Sequence, residues 1–149
     1  MRAVIQRVSR ARVHVGAETV GEIGPGLLAL VGVAADDEPA DIAYIAGKIR
    51  DLRVFDDEFG KMNRALGETG GAALVVSQFT LYGDARKGRR PSFERAAPAD
   101  DGRMLFDAVV ATLRAAGVTV ETGTYRAHMQ VELVNDGPVT ILIDSRREF

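Results

Sequence analysis

The chain has no cysteine. That excludes disulfides, a thiolate nucleophile and thiolate metal sites, and it agrees with a reducing compartment. Histidine is almost as scarce, with His14 and His128 the whole supply. A metal centre would have to be built mainly from carboxylates, and their spacing suggests none, so neither metal nor cofactor is expected. No apolar run approaches the length of a membrane span. The first residues alternate charged and apolar groups rather than forming a secretory core. The expectation is therefore a cytoplasmic protein without a membrane partner. Net charge is −2 at pH 7, which argues against a general positive field that coats nucleic acid, DNA included. A local basic patch that touches RNA stays open.

The usual hydrolase signatures are missing too. A nucleophile elbow needs Gly-x-Ser-x-Gly, whereas Ser77 stands in Val-Ser-Gln. A triad needs a histidine base. His14 lies between Val13 and Val15 and reads as structural, and His128 falls on a polar face with Arg126 and Gln130. Paired carboxylates occur only in turns and helix caps, at Asp36-Asp37, Asp56-Asp57 and Asp100-Asp101. Thr80 has no activating base near it in sequence.

What is present suits one globular domain over residues 1–149. In Arg2–Arg10, Val4, Gln6 and Val8 share one face and Ala3, Ile5 and Arg7 the other, which predicts a half-buried strand. Glu18–Ile23 returns as a second strand. After the turn at Gly24-Pro25-Gly26, Leu27–Val33 is nearly all apolar, as in a strand covered on both faces. Asp36-Asp37-Glu38-Pro39 starts a helix, and Ile42, Ile45, Ile49 and Leu52 give it one apolar stripe. A strand begins at Arg53–Phe55. A second helix spans Pro98–Ala116, with Leu105, Val109 and Leu113 as its stripe and Gly117 as its stop. Val118–Glu121 is a further strand. Tyr125–Val134 alternates, with Tyr125, Ala127, Met129, Val131 and Leu133 on one face, and Val139–Ile143 closes the sheet. Strands with two amphipathic crossovers predict an α/β fold. Its layers would be helix on sheet on sheet, with mixed, largely antiparallel strands and two main helices.

Three stretches carry candidate chemistry. Ala72–Val76 is a buried strand that breaks into Ser77-Gln78-Phe79-Thr80. Small polar groups at such a strand mouth either face a ligand with nearby backbone N–H groups or merely satisfy local backbone. Arg86-Lys87-Gly88-Arg89-Arg90 is either a solvated loop or a phosphate contact. Asn135-Asp136-Gly137-Pro138 is strong turn chemistry.

Taken together, Ser77–Tyr82, Asn135–Thr140, the start Met1–Val8, Gly60–Asn63 and Lys87–Phe93 resemble the D-aminoacyl-tRNA deacylase family over nearly the whole chain. The resemblance implies a three-layer α/β homodimer that hydrolyses the ester of a D-aminoacyl-tRNA and acts on glycyl-tRNA as well. It implies that Ser77, Gln78, Phe79 and Thr80 line the pocket, with the N–H groups of Phe79 and Thr80 as oxyanion donors. Either the RNA 2′-hydroxyl or Thr80 would drive the chemistry. It further implies a cis Gly137–Pro138 bond that enters the partner's active site and excludes L side chains, braced by Arg7. Met129 either floors the adenosine pocket or is plain core, and Arg86, Lys87, Arg89 and Arg90 would meet tRNA. Two rivals stay open on sequence: a hydrolase of free D-amino-acid esters, and a non-catalytic RNA-binding dimer.

Overall fold

The computed structural model describes all of residues 1–149. Its first strand, β1 (Arg2–Val15), is long and bent, and the bend organises the rest. Up to Val8, β1 pairs antiparallel with β3 (Gly26–Gly32); from Ala11 it pairs with β2 (Glu18–Ile23). The change of partner reverses its facing. Ala3 and Ile5 point into one core, whereas Val8, Ala11 and Val13 point into another.

β3 has no polar face. Leu27, Ala29 and Val31 enter the first core and Leu28 the second, which is why its sequence is an unbroken apolar run. β6 (Ala72–Ser77) runs parallel to β3 and does the same, with Ala73 and Val75 on one side and Leu74 and Val76 on the other. β7 (Val120–Thr122) extends the sheet in parallel.

Helices α1 (Pro39–Asp51) and α2 (Ala99–Ala115) cover the first core with Ile45, Ile49, Phe106, Val109 and Leu113. The helix–sheet–sheet expectation thus holds in one refinement. The inner layers are two halves of one six-stranded sheet that folds over its second core, and a separate hairpin is formed by β4 (Phe55–Asp56) and β5 (Met62–Arg64). The fold-over demands glycine at two places. A Cβ on Gly26 would lie 1.9 Å from the Ala72 carbonyl oxygen, and one on Gly21 2.3 Å from that of Thr122.

The alternating segment from Tyr125 is a strand only from Gln130, where β8 (Gln130–Asp144) begins. Residues 125 and 126 form a turn instead, with Arg126 at φ 63°. The alternation still tracks burial, since Tyr125, Ala127 and Met129 are half-buried and their neighbours exposed. Val139–Ile143 is no separate strand but the continuation of β8. Nor is Asn135–Pro138 a hairpin turn. β8 pairs with β1 at Thr140↔Gln6 and again at Asn135↔Val8, so four residues bulge out opposite Arg7 alone. The Gly137–Pro138 bond within the bulge is cis.

At the start of α1 the cap is Glu38, one residue later than the Asp36-Asp37 signal suggests. Asp41 and Glu38 form a reciprocal capping box. The Asp41 carboxylate accepts from the Glu38 amide at 2.8 Å and from the Ser145 hydroxyl at 2.5 Å. Burial acts to raise its pKa. These hydrogen bonds, with the N-terminal ammonium and Arg146, outweigh burial and hold it below the usual carboxylate value.

Two predictions follow from this packing. Gly21→Ala forces backbone apart and should cost about 3 kcal/mol in urea unfolding. A carboxyl with a depressed folded pKa stabilises above its unfolded pKa and loses that contribution as pH falls through the folded one. Asp41→Asn should therefore lose about 1–2 kcal/mol at pH 7 and show a shallower acid limb below about pH 4. An unchanged limb would remove Asp41 from the acid transition.

Candidate active site

β6 ends at Ser77, and the chain turns at once into a 3-10 turn, Phe79–Tyr82. The Gln78 amide is taken by the Val31 carbonyl at 2.8 Å, which pins the entry of the turn to β3. The amides of Leu81 and Gly83 bond back to the carbonyls of Gln78 and Thr80. The first N–H groups of a helical turn have no partner within it. Those of Phe79 and Thr80 find no acceptor elsewhere in the chain either. Two adjacent free donors therefore stand at the mouth of an apolar strand.

Beside them is a cavity of about 460 Å³. Val31 of β3 and Val33 just after it supply its base, and Val76, Ser77, Gln78 and Phe79 one wall. Ala97, Ala99 and Gly102 close it at the start of α2, and the segment from Tyr125 to Met129 forms the remaining side. The Tyr125 hydroxyl donates to the Ala99 carbonyl at 3.0 Å. Gly102 leaves room for it, since a Cβ there would meet that oxygen at 2.7 Å. Met129 lines this cavity and also packs on the second core.

Thr80 is exposed and does not line the cavity. Its hydroxyl oxygen accepts from the Gln78 carboxamide, and neither histidine nor carboxylate bonds to it. His128 is on the cavity wall without a hydrogen-bond partner. His14 faces Thr19 at 3.1 Å between β1 and β2, in keeping with a structural role. No cluster of His, Asp and Glu is arranged to hold a metal.

Several groups that sequence reading passed over hold the turn in place. Phe93 meets Phe79 edge-on, with ring centroids 5.1 Å apart. Gly83 permits this, for a Cβ there would sit 3.0 Å from the Phe93 ring. Arg2 donates to the Leu81 carbonyl at 3.0 Å, and its guanidinium lies 4.6 Å from the centre of the Tyr82 ring. Asp144 and Glu148 fix Arg2, and Glu148 also receives both terminal nitrogens of Arg95. Those bonds, Arg95's first, bring the Glu148 pKa down to about 2. Burial, then Asp37 and Asp144, push the Tyr82 phenol up. Arg2 and Tyr82 are far apart in sequence, and neither carries a motif that announces the contact.

The basic loop is closed by mutual backbone bonds between Asp84 and Ser92. Its four cations are not equivalent. Arg86 is held by the Asp84 carboxylate through a fork at 2.9 and 2.5 Å, while Lys87, Arg89 and Arg90 are exposed and unpaired.

Gly137 and Pro138 are exposed and lie apart from this cavity. Arg7, beneath them, is 9% exposed and no ordinary edge charge. It donates to the Asp136 carbonyl at 3.1 Å, the Val54 carbonyl at 2.8 Å and the Asp56 carboxylate at 3.3 Å. Arg7 is level with Leu27 and Ala73, four residues from the level of Ser77. The bulge and the end of β6 at Ser77 are thus about 13 Å apart along the strands, with two strands between β8 and β6.

Comparison with known proteins accords with this geometry. Residues 4–144 match the family described as D-Tyr-tRNA(Tyr) deacylase. A protein of Symbiobacterium thermophilum named D-aminoacyl-tRNA deacylase is 60% identical over 149 residues, covering 100% of this chain and 99% of the relative. One of Heliobacterium modesticaldum with the same name is 60% identical, covering 98% and 97%. Among solved structures, one titled c-Myc DNA Unwinding Element Binding Protein superposes with a TM-score of 0.91 at 37% identity, covering 97% of this chain and 98% of that one. A probable eukaryotic D-amino acid tRNA deacylase, at 19% identity and a TM-score of 0.83, shares the fold over 95% of this chain and 97% of its own. A full-length match at this identity, on a site made of free amides, places the chain in the D-aminoacyl-tRNA deacylase family of ester hydrolases.

Proposed function

We propose that the chain hydrolyses the ester joining a D-amino acid to the 3′ end of tRNA, acting in the cytoplasm as a homodimer. The observation that carries this reading is the pair of unpartnered N–H groups on Phe79 and Thr80 beside a cavity without an activated side-chain nucleophile. Attack on an ester places negative charge on the carbonyl oxygen, and fixed amides stabilise that charge without reorganising. One such donor is worth about 3–4 kcal/mol in a hydrolase. Since Thr80 has only a carboxamide partner, the nucleophile is water assisted by the neighbouring ribose 2′-hydroxyl. Ser77 and Gln78 line the approach, and Met129 lies under the terminal nucleoside.

Selection for the D form falls to Gly137 and Pro138. Their carbonyls, presented on a bulge braced by Arg7, accept from the substrate's α-ammonium and leave no room for an L side chain. This is rejection by clash rather than by better binding. Glycine has no side chain to reject, so glycyl-tRNA passes. One protomer cannot bring the bulge to its own cavity across the span given above, so the bulge serves the cavity of a second copy. Lys87, Arg89 and Arg90 hold tRNA phosphates, with Arg86 neutralised by Asp84.

The central test compares D-Tyr-tRNA with L-Tyr-tRNA. Rapid loss of the D ester with persistence of the L ester is expected, and equal cleavage would refute the chiral filter. Thr80→Ala should keep most of the activity; total loss would point to a threonine nucleophile instead. Pro138→Ala should lower discrimination without dissociating the RNA. The three free cations of the loop contribute about three units to the log–log slope of tRNA binding against salt, which falls by roughly one for each of Lys87, Arg89 and Arg90 removed. The same loss from Arg86→Ala would show that Asp84 does not withhold that side chain.

A further inference from the structure

Arg126 has no role in the reading above, yet its placement is unusual. Its φ is 63°, a left-handed conformation that glycine adopts freely and an arginine does not. The turn around it is firmly built. Tyr125 is anchored to Ala99 through its hydroxyl, and the Ala127 amide bonds to the Thr124 carbonyl at 3.2 Å. Arg126 is therefore held on a fixed base. It lines the same cavity as Gln78 and Phe79, on a different wall, and is exposed at the rim. No carboxylate, carbonyl or aromatic ring of the chain engages its guanidinium, whereas Arg2, Arg86 and Arg95 each have an acid. A cation that is free, borne on an anchored turn and set in an unfavourable backbone conformation at a cavity mouth is arranged for a ligand outside the chain.

We infer that Arg126 binds the phosphodiester on the 5′ side of the terminal nucleoside, at the rim of the cavity. This rests on the reading of the cavity as the seat of an aminoacylated RNA end. A nucleoside seated beside Gln78 and Phe79 carries its 5′-phosphate out through the mouth, and a guanidinium offers a forked pair of donors to such an oxyanion. Lys87, Arg89 and Arg90 lie on a separate element and take phosphates further along the strand. Arg126 thus tells an RNA end from a free nucleoside ester, because only the former has the phosphate.

The experiment uses Arg126→Gly and Arg126→Lys in the full chain. Glycine suits φ 63°, so thermal stability should be unchanged or higher in Arg126→Gly. With D-tyrosyl-tRNA its KM should rise about tenfold at unchanged kcat, and the salt slope of binding should fall by about one. With 2′(3′)-O-D-tyrosyl-adenosine, which lacks the phosphate, KM should match that of the wild type. Arg126→Lys should recover part of the tRNA KM. An unchanged KM for tRNA, or an equal rise for both substrates, would overturn the assignment. Affinity for deacylated tRNA is measured in parallel. Should the wild type cleave neither ester, the deacylase reading fails, while the wild type against Arg126→Gly difference in tRNA affinity still decides Arg126.

Discussion

The ladder between β1 and β8 shifts register twice, between Gln6 and Val8 and between Val8 and Arg10, and the wider of the two breaks presents Gly137 and Pro138. Four residues of β8 stand where Arg7 alone stands on β1. A bulge of that size would be mobile if left to solvent. Here a guanidinium at 9% exposure fills the space beneath it and donates to carbonyls on two elements, Asp136 on the bulge and Val54 just before the β4–β5 hairpin. Burying a charge is costly unless its donors are used. Arg7 uses them on two backbone carbonyls and the Asp56 carboxylate, and its bond to the Asp136 carbonyl braces the bulge that carries Gly137 and Pro138.

The free amides beside the cavity are fixed by a different economy of groups. The turn after β6 leaves two N–H groups free because every neighbouring group is committed. Gln78 is tied to β3, Leu81 and Gly83 bond within the turn, and the Leu81 carbonyl takes Arg2. Phe93 packs against Phe79 from outside. Donors held this way act on developing charge without a reorganisation penalty, and their value grows when water is excluded. In an isolated protomer Phe79 is 58% exposed. Exclusion of water must then come from the bound RNA and, under the proposed arrangement, from the second copy.

Much of the fold was legible because burial leaves a pattern. The two-sided strand β3, the stripes of α1 and α2 and the alternation from Tyr125 onward all match the structure in their facing. What failed to show was pairing. Tyr125–Met129 alternates like a strand but has no partner, since a half-buried turn produces the same alternation. Asn135–Pro138 has the composition of a hairpin turn but interrupts a strand that keeps its direction, and only the register against β1 reveals this. The Ser77–Thr80 stretch was visible as a break in an apolar run. Its supports were not, because Arg2, Tyr82 and Phe93 meet through the fold and Glu148 through an ion pair. The basic loop was legible in charge but not in pairing: Asp84, two residues before Arg86, forks with one cation of the four.

A site built from main chain also explains why so few side chains announce it. An amide N–H has the same chemistry in every residue, so catalysis of this kind constrains conformation and leaves composition largely free. The sequence must then specify where the backbone goes. It does so with glycines that permit close approach at Gly21, Gly26, Gly83 and Gly102, and with a buried arginine where the ladder opens. Handedness is a property that a main-chain filter is well placed to sense. Carbonyls set against the Cα of a substrate meet its ammonium and its side-chain direction, not the side-chain's identity. Under the proposed reading, tolerance of many amino acids and strictness toward one configuration come from the same contacts.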